Sequence, residues 1–399
     1  MNIGVPRETQ PGETRVALTP QALAPLLRDG HAILIQSGAG EAAHFSDARY
    51  MQAGARIIAD APALYAQADV IFKAQPPWRD PASDYHEADS FREGTMCVGL
   101  LAPLTRPDVT AIIARRHIAS YALELLPRDA RAQSMDALTA MATVAGYKAV
   151  LLAADRLDKF FRLLMTAAGT IAPANILVLG VGVAGLQAIA TAKRLGARVT
   201  AFDPRPAVRE QVESLGASFL AMPAVEQAEP VETAGGYARE QSDTFLQAER
   251  ACIAEQLAKS DVVICAAQVY GKRAPILITA DMAPRLRPGG VIVDLAADQG
   301  GNCELTQPDR EIEHDGALII GAGNLPALVP ADASRMYAHN LVNFFRYLYP
   351  AHGTPPDQTD EIAHATCVTR AGAIVSDAAR AAVAVAAKAS SVVAGAKGA

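Results

Sequence analysis

Ile176-Leu177-Val178-Leu179-Gly180-Val181-Gly182-Val183-Ala184-Gly185 is the stretch on which the fold turns. Four apolar residues read as a buried strand, the spaced glycines follow without interruption, and an apolar helical run continues to Leu195. Residues 198–202 then read as a second strand, and Asp203 stands eighteen residues beyond Gly185. A lone G-x-G-x-x-G is a weak signal, but in this strand–turn–helix–strand–acid order it is a dinucleotide fingerprint. Gly180 permits the tight turn, Gly182 lets the backbone approach a pyrophosphate, and Gly185 allows the helix to pack closely on its strand. The unpaired N–H groups and positive dipole at the helix start, where Val183 stands, favour the phosphates. Asp203 can accept hydrogen bonds from both ribose hydroxyls and repels a 2′-phosphate, so NAD is expected over NADP. A purely structural glycine turn is the competing explanation, and the order of the surrounding elements argues against it.

With 399 residues, 51% of them hydrophobic and 20% charged, the chain has material for two globular cores. A net charge of -6 and the absence of any basic run argue against a nucleic-acid partner. The cysteines, Cys97, Cys252, Cys265, Cys303 and Cys367, form no C-x-x-C pair, so neither a zinc site nor a disulfide framework is expected, and such thiols suit a reducing cytosol. The histidines have no metal-ligand spacing; His117 and His314, beside charged neighbours, read as surface residues, and no metal is expected. Met1-Asn2 leads straight into a strand, so no signal peptide is expected. Residues 163–192 carry no charge and are long enough to span a bilayer, but they contain Pro173 and the fingerprint itself. A turn in hydrocarbon would leave backbone groups unpaired, so a buried parallel strand and its following helix are the better reading. The alanine-rich tail from Ala378, interrupted by Arg380, Lys388 and Lys397, reads as a terminal helix with a frayed end.

The expected fold class is α/β: two doubly wound Rossmann-like domains with parallel sheets, joined by long helices around a cleft. The first, discontinuous domain is placed at residues 1–135 and 327–399, and the Rossmann NAD-binding domain at 136–326. Strands are expected at 1–5, 32–36, 69–73, 97–101 and 118–123, then at 175–179, 198–202, 218–220, 262–266, 291–295 and 318–320. Thr19-Pro20 reads as a helix start with a hydroxyl cap, Ser46 opens a short helix, and long helices are expected over 134–157 and 332–348. Residues 222–244, with Glu226, Glu229, Glu232 and then Gly235-Gly236-Tyr237, form an insertion of the kind that makes a mobile lid.

The sequence resembles the NAD-binding alpha subunits of proton-translocating nicotinamide nucleotide transhydrogenases and, more distantly, alanine dehydrogenases. The most specific stretch is Arg131-Ala132-Gln133-Ser134-Met135-Asp136 followed by Ala145-Gly146-Tyr147. Pro6-Arg7-Glu8, Gly12-Glu13-x-Arg15, Ala234-Gly235-Gly236-Tyr237-Ala238, Gly300-Gly301-Asn302-Cys303 and Cys367-Val368-Thr369 carry it in order from Ile3 to about Val375. The resemblance implies a soluble, NAD-binding portion of the alpha subunit, working with a small membrane-spanning alpha subunit and a beta subunit that carries an NADP(H)-binding domain. It further implies a homodimer, cytoplasmic and peripheral on the cytoplasmic face of the inner membrane, and an activity of the Si-specific (Re/Si) type that appears only with those partners. The family couples exchange to proton movement, and one charge crossing ~100 mV carries ~2.3 kcal/mol.

The two resemblances ask for different chemistry. An amino-acid dehydrogenase moves a proton as well as a hydride and needs a general acid/base at the substrate. Exchange between two nicotinamides needs only approach, facing and a dry site. Alanine dehydrogenases carry a histidine in the strand after the first-domain lysine strand; the matching stretch here, Val98-Gly99-Leu100-Leu101-Ala102-Pro103, has none. Arg15 and Lys73, which clamp the substrate carboxylate in the dehydrogenase, survive, and a structural ion-pair network is the favoured reading for them. Asp298-Gln299-Gly300-Gly301 matches the dehydrogenase pattern and keeps that alternative open, as does, from a different class, a non-catalytic NAD-sensing module. For exchange, Gln133 has the amide donor and acceptor to hold a nicotinamide carboxamide and fix which ring face is presented. Arg128 and Asp136 can pair with each other and with ribose or amide, and Thr139 adds a hydroxyl. Ser134 is counted among the cofactor contacts, and Ser134 or Asp136 is also a candidate helix cap. By resemblance Tyr237, beside Gly236, folds over bound nucleotide. Gln268 lies after the fourth strand at the nucleotide-binding edge, and Arg205 can reach adenine or ribose or serve only as a helix-start charge.

Overall fold

Valine-, isoleucine- and leucine-rich runs bounded by glycines become parallel strands in the computed structural model, which describes residues 1–83, 85–222, 242–269, 271–350, 357 and 359–396. The chain divides into two units, Met1–Met141 with Ala327–Ala399, and Ala142–Pro326. Each is built on its own sheet.

The second unit holds a seven-stranded sheet in the spatial order Ser218–Phe219, Arg198–Phe202, Asn175–Leu179, Val262–Cys265, Val291–Asp294, Ala317–Gly321 and Glu311–His314. All neighbours are parallel except the last pair. The parallel strands, counted along the chain, therefore run 3-2-1-4-5-6, the doubly wound order. Both faces are covered, which is why these strands are apolar at every position rather than at alternate ones. Ile176, Val178, Val262, Ile264, Val291 and Val293 pack into one layer. Leu177, Leu179, Val263, Cys265 and Ile292 pack into the other. The edge strand Glu311–His314 escapes a search for apolar runs because two of its residues are glutamates on an exposed side, the usual protection of a sheet edge. A separate hairpin, Leu164–Thr166 with Gly169–Ile171, lies inside the uncharged stretch and leaves Met165 76% exposed.

The first unit repeats the order 3-2-1-4-5-6 with Arg56–Ile58, Ala32–Gln36, Asn2–Val5, Val70–Lys73, Met96–Gly99 and Ala119–Ala122. An antiparallel pair, Cys367–Arg370 and Ala373–Ile374, extends that sheet beyond Ala119–Ala122. The Cys367-Val368-Thr369 motif is thus a strand, tied by Thr369 Oγ1 to the Ser120 hydroxyl at 2.6 Å and to the Ile118 carbonyl at 2.8 Å.

Several local expectations are corrected. Thr19 makes no side-chain cap; Pro20–Ala22 is a 3-10 turn and the α-helix is Leu23–Arg28. The long helix expected from Ser134 starts at Ala137 and runs to Arg156, after a 3-10 turn over Ala130–Met135. That helix, with a mean hydropathy of 1.5, is long and apolar enough to cross a membrane by composition, and its apolar window is 39% buried. The second long helix is Pro330–Leu348, which buries Tyr337, Leu341, Phe344, Phe345 and Leu348 along one face.

Candidate functional site

Strand Asn175–Leu179 ends at Gly180, whose φ of +91° is open to glycine alone at little cost. A Cβ there would also lie 2.6 Å from the Ala267 nitrogen. One added at Gly185 would lie 1.9 Å from the Gly180 carbonyl oxygen, so the helix start is pressed onto its own turn. At Gly182 a Cβ would meet nothing within 4 Å, leaving the backbone open to an approaching group. Gly182 precedes helix Val183–Arg194 without any side-chain cap, so the first N–H groups remain for an anion.

Asp203 closes the neighbouring strand and is 6% exposed. Its carboxylate accepts the Val181 N–H at 2.7 Å, the Arg205 N–H at 2.9 Å, and Arg205 Nε and Nη2 at 2.8 and 2.9 Å. Those four donors match the four lone-pair sites a carboxylate offers. Arg205 is accordingly neither a solvated charge nor aimed outward: it forks onto Asp203, and ribose hydroxyls must displace it or share its partner. Glu249, on helix Asp243–Leu257, is 3% exposed. Burial, and then the charge of Asp203, push its carboxyl from 4.5 up to about 8, so it carries its proton at neutral pH.

Gln268 is exposed beyond strand Val262–Cys265 and donates to the Leu295 carbonyl at 3.1 Å. The backbone beside it is framed by Asn302, which accepts the Ala267 N–H at 3.0 Å and donates to the Ala267 and Pro275 carbonyls at 2.8 and 2.9 Å. Asp294 in turn accepts the N–H groups of Ala296, Asn302 and Cys303 and the Thr306 hydroxyl. The Gly300-Gly301-Asn302-Cys303 motif therefore builds the sheet edge itself. Glycines at φ of +95° and +78° followed by asparagine were its only sequence signal. Gly180, Gly182, Val183, Gly185, Asp203, Arg205 and Gln268 all stand at this one edge of the second unit.

Arg128, Gln133, Ser134, Asp136 and Thr139 form a second group. Asp129 accepts the Arg131 N–H at 2.8 Å and starts the 3-10 turn Ala130–Met135. Ala132 and Met135 point inward and are buried, while Arg128, Gln133 and Ser134 are exposed. Asp136, not Ser134, caps the long helix, accepting the Thr139 N–H at 2.8 Å and its hydroxyl at 2.6 Å. The Ser134 carbonyl accepts from Asn340 Nδ2 at 3.0 Å and from Asn343 Nδ2 at 3.1 Å. Gly236 and Tyr237 lie outside the described residues.

At the first unit's own switch point the two cations shared with the dehydrogenase pattern are already matched. Lys73 is fully buried, with Nζ 2.8 Å from Glu8 and 2.8 Å from Glu87. Glu87 also accepts the Tyr65 hydroxyl at 2.6 Å, and Glu8 the Ala74 N–H at 2.6 Å. Arg15 forks onto Glu13 at 2.8 and 2.6 Å. Burial raises the Glu13 carboxyl, but the Arg15 hydrogen bond and charge outweigh it and bring it down to about 2. For Glu8, burial outweighs Lys73 and lifts the carboxyl to about 7. A pocket of ≈ 380 Å³ opens over this network, lined by Arg7, Glu8, Glu13 and Arg15 among others and by no histidine among the described residues. In place of the dehydrogenase histidine strand, Gly99 packs where a Cβ would lie 2.2 Å from the Lys73 carbonyl, and the Leu100 N–H is held by Tyr337 Oη at 3.0 Å.

Comparison with known proteins matches two family profiles, alanine dehydrogenase/PNT, N-terminal domain, over residues 4–145, and alanine dehydrogenase/PNT, C-terminal domain, over residues 149–377. The chain is 44% identical over 382 residues to the first of the separate alpha-subunit polypeptides of the NAD(P) transhydrogenase of Rhodospirillum rubrum, covering 94% of this chain and 98% of that one. It is 29% identical over 338 residues to alanine dehydrogenase of Bacillus subtilis, covering 83% and 81%. Among solved structures, a transhydrogenase from Sinorhizobium meliloti superposes with a TM-score of 0.80 at 36% identity, covering 95% of this chain and 100% of that one. An L-alanine dehydrogenase superposes with a TM-score of 0.79 at 28% identity, covering 96% and 99%.

Proposed function

The chain belongs to the alanine dehydrogenase/PNT family, and from that premise we propose that it is the NAD(H)-binding component of a proton-translocating transhydrogenase. It binds NADH and passes the hydride directly to NADP+ held by a partner subunit, as its likeness to transhydrogenase alpha subunits at 38–44% identity supports. The observation that carries this reading over alanine dehydrogenase is the state of Lys73 and Arg15. Both are matched by internal carboxylates, Glu8, Glu87 and Glu13, and neither is left to hold a 2-oxo acid. A buried lysine drawn out of such a pair would leave two carboxylates uncompensated, which is costly.

The residues then divide the work. Gly180, Gly182, Val183 and Gly185 bring backbone N–H groups to the pyrophosphate. Asp203 takes the adenosine ribose as Arg205 yields one or more of its acceptor positions, and Gln268 borders the same edge. Gln133 holds the nicotinamide carboxamide with both halves of its amide, with Arg128, Ser134, Asp136 and Thr139 around it. No proton leaves the ring, so the site needs no base; water exclusion and ring facing set the rate. The stereochemistry is of the Si-specific (Re/Si) type. The partners are a small membrane-spanning subunit and a beta subunit with the NADP(H)-binding domain, on the cytoplasmic face of the membrane. Proton movement is coupled by gating ring approach. The chain acts as a homodimer, a state favoured by the apolar surface that Phe160, Leu163, Met165 and Ile171 leave exposed at 44–76%.

The test is a pair of assays on the purified chain. NADH with pyruvate and ammonium is expected to stay reduced; steady oxidation would overturn the proposal in favour of the dehydrogenase, whose Asp298-Gln299-Gly300-Gly301 pattern the chain retains. Addition of the NADP(H)-binding domain with an oxidised NADP analogue is expected to start hydride exchange, and its failure to do so under conditions where both nucleotides bind would count against the role.

A further inference from the structure

Helix Pro330–Leu348 presents two asparagines, Asn340 and Asn343, one turn apart on the same face. Both amide nitrogens point at a single atom, the Ser134 carbonyl oxygen, at 3.0 and 3.1 Å. A carbonyl has two lone pairs, so this pair of donors saturates it and fixes its direction as well as its position. Asn340 is only 8% exposed, and its Oδ1 finds no hydrogen-bond partner. A residue kept there for packing alone would be apolar, because an unmade acceptor in the interior is a standing penalty. The helix that bears the asparagines is itself anchored along its length. The Ser334 hydroxyl accepts the Val16 N–H at 3.0 Å, Tyr337 Oη donates to the Lys73 carbonyl at 2.5 Å, and Arg346 meets Asp29 at 2.6 Å. The turn on the receiving side is pinned from within by Ala132 and Met135, and Gln133, next to Ser134, faces outward.

We propose that Asn340 and Asn343 are positioning residues for hydride exchange: by holding the Ser134 carbonyl they set the backbone from which Gln133 reaches the nicotinamide carboxamide. This rests on the assignment of Gln133 above. The clamp acts on the angle at which the ring is offered more than on whether the nucleotide binds, because phosphate and ribose contacts come from other residues. A displacement of about 1 Å at a reacting centre is enough to slow a reaction by up to about a hundredfold.

The experiment combines Asn343→Leu, Asn340→Leu and Gln133→Ala in the full chain with the NADP(H)-binding domain. Each is read by single-turnover exchange and by the Kd for NADH. Each asparagine variant is expected to slow exchange by about tenfold or more with Kd changed less than about threefold. In the Gln133→Ala background the same substitutions are expected to cause no further slowing, and Asn343→Gln, which keeps a donor, is expected to recover some of the rate. Asn343 is the less buried of the two, so its variants answer the question even where Asn340→Leu fails to fold. An equal loss of rate with and without Gln133 would mean that the asparagines serve only the fold, and the proposal is overturned. Parent-like exchange in Asn343→Leu while Gln133→Ala is slow overturns the clamp alone. Parent-like exchange in Gln133→Ala overturns the assignment of Gln133 and the clamp with it.

Discussion

Two carboxyl groups at the adenosine end of the second unit are tuned in opposite directions. Asp203 is ionised and saturated by the Val181 N–H and the Arg205 fork. Glu249, nearly as buried, feels the Asp203 charge and holds its proton up to about pH 8. A carboxyl whose folded pKa is raised takes up more proton in the folded than in the unfolded chain. Its contribution to stability is therefore full below its unfolded value, near 4.5, and is lost as pH climbs toward 8. Glu249→Gln, an isostere of the protonated acid, removes that slope. Relative to the parent, its melting temperature is expected to gain steadily from pH 5 to pH 9; a constant offset across that range would show that Glu249 does not titrate in this window. None of this was legible in the sequence. Asp203 announces itself through its distance from Gly185, whereas Glu249 comes near it only after forty-six further residues have folded back.

Among the elements, the tightest contact is between two helix backbones. A Cβ on Gly146 would sit 2.1 Å from the Ala184 carbonyl oxygen, so helix Ala137–Arg156 crosses the start of helix Val183–Arg194 at a distance only glycine permits. Gly146→Ala must force the two backbones apart, at a cost of about 1–3 kcal/mol for overpacking. Because the displaced residue is in the first turn over the phosphates, NADH affinity is expected to fall by about tenfold or more, in proportion to lost helix-terminus contacts. Calorimetry and NADH titration check both effects, and an unchanged affinity beside a lowered melting temperature would separate packing from binding. The strands that sequence reasoning recovers here, such as Asn175–Leu179 and Val291–Asp294, are those buried on both faces, whose apolar runs need no context. Those it misses are short, as Arg56–Ile58, charged at an edge, as Glu311–His314, or hidden in another signal, as the hairpin at Leu164–Thr166. The fingerprint could be read because glycine is demanded by the local backbone. The roles of Asn302, Asn340 and Asn343 could not, since each is defined by a carbonyl or N–H far away along the chain.

At the scale of the molecule, both units are wound in the same strand order, yet only one keeps its switch point open to phosphate. The other has filled its equivalent position with Glu8, Lys73 and Glu87. The exposed apolar hairpin is the surface on which association is expected to depend: Met165→Asp with Ile171→Asp should shift the sedimentation coefficient of the chain from dimer toward monomer, while a dimer that survives both changes would place the interface elsewhere. The matched charges of Glu8, Lys73 and Glu87 have a metabolic corollary. Pyruvate and its relatives are abundant in any cell, and an NADH resting on a subunit with an inviting seat for them would be drained in a futile leak. Here that seat is occupied by the protein's own side chains, so the reducing equivalent waits for a single recipient and its departure can be kept in step with an event elsewhere.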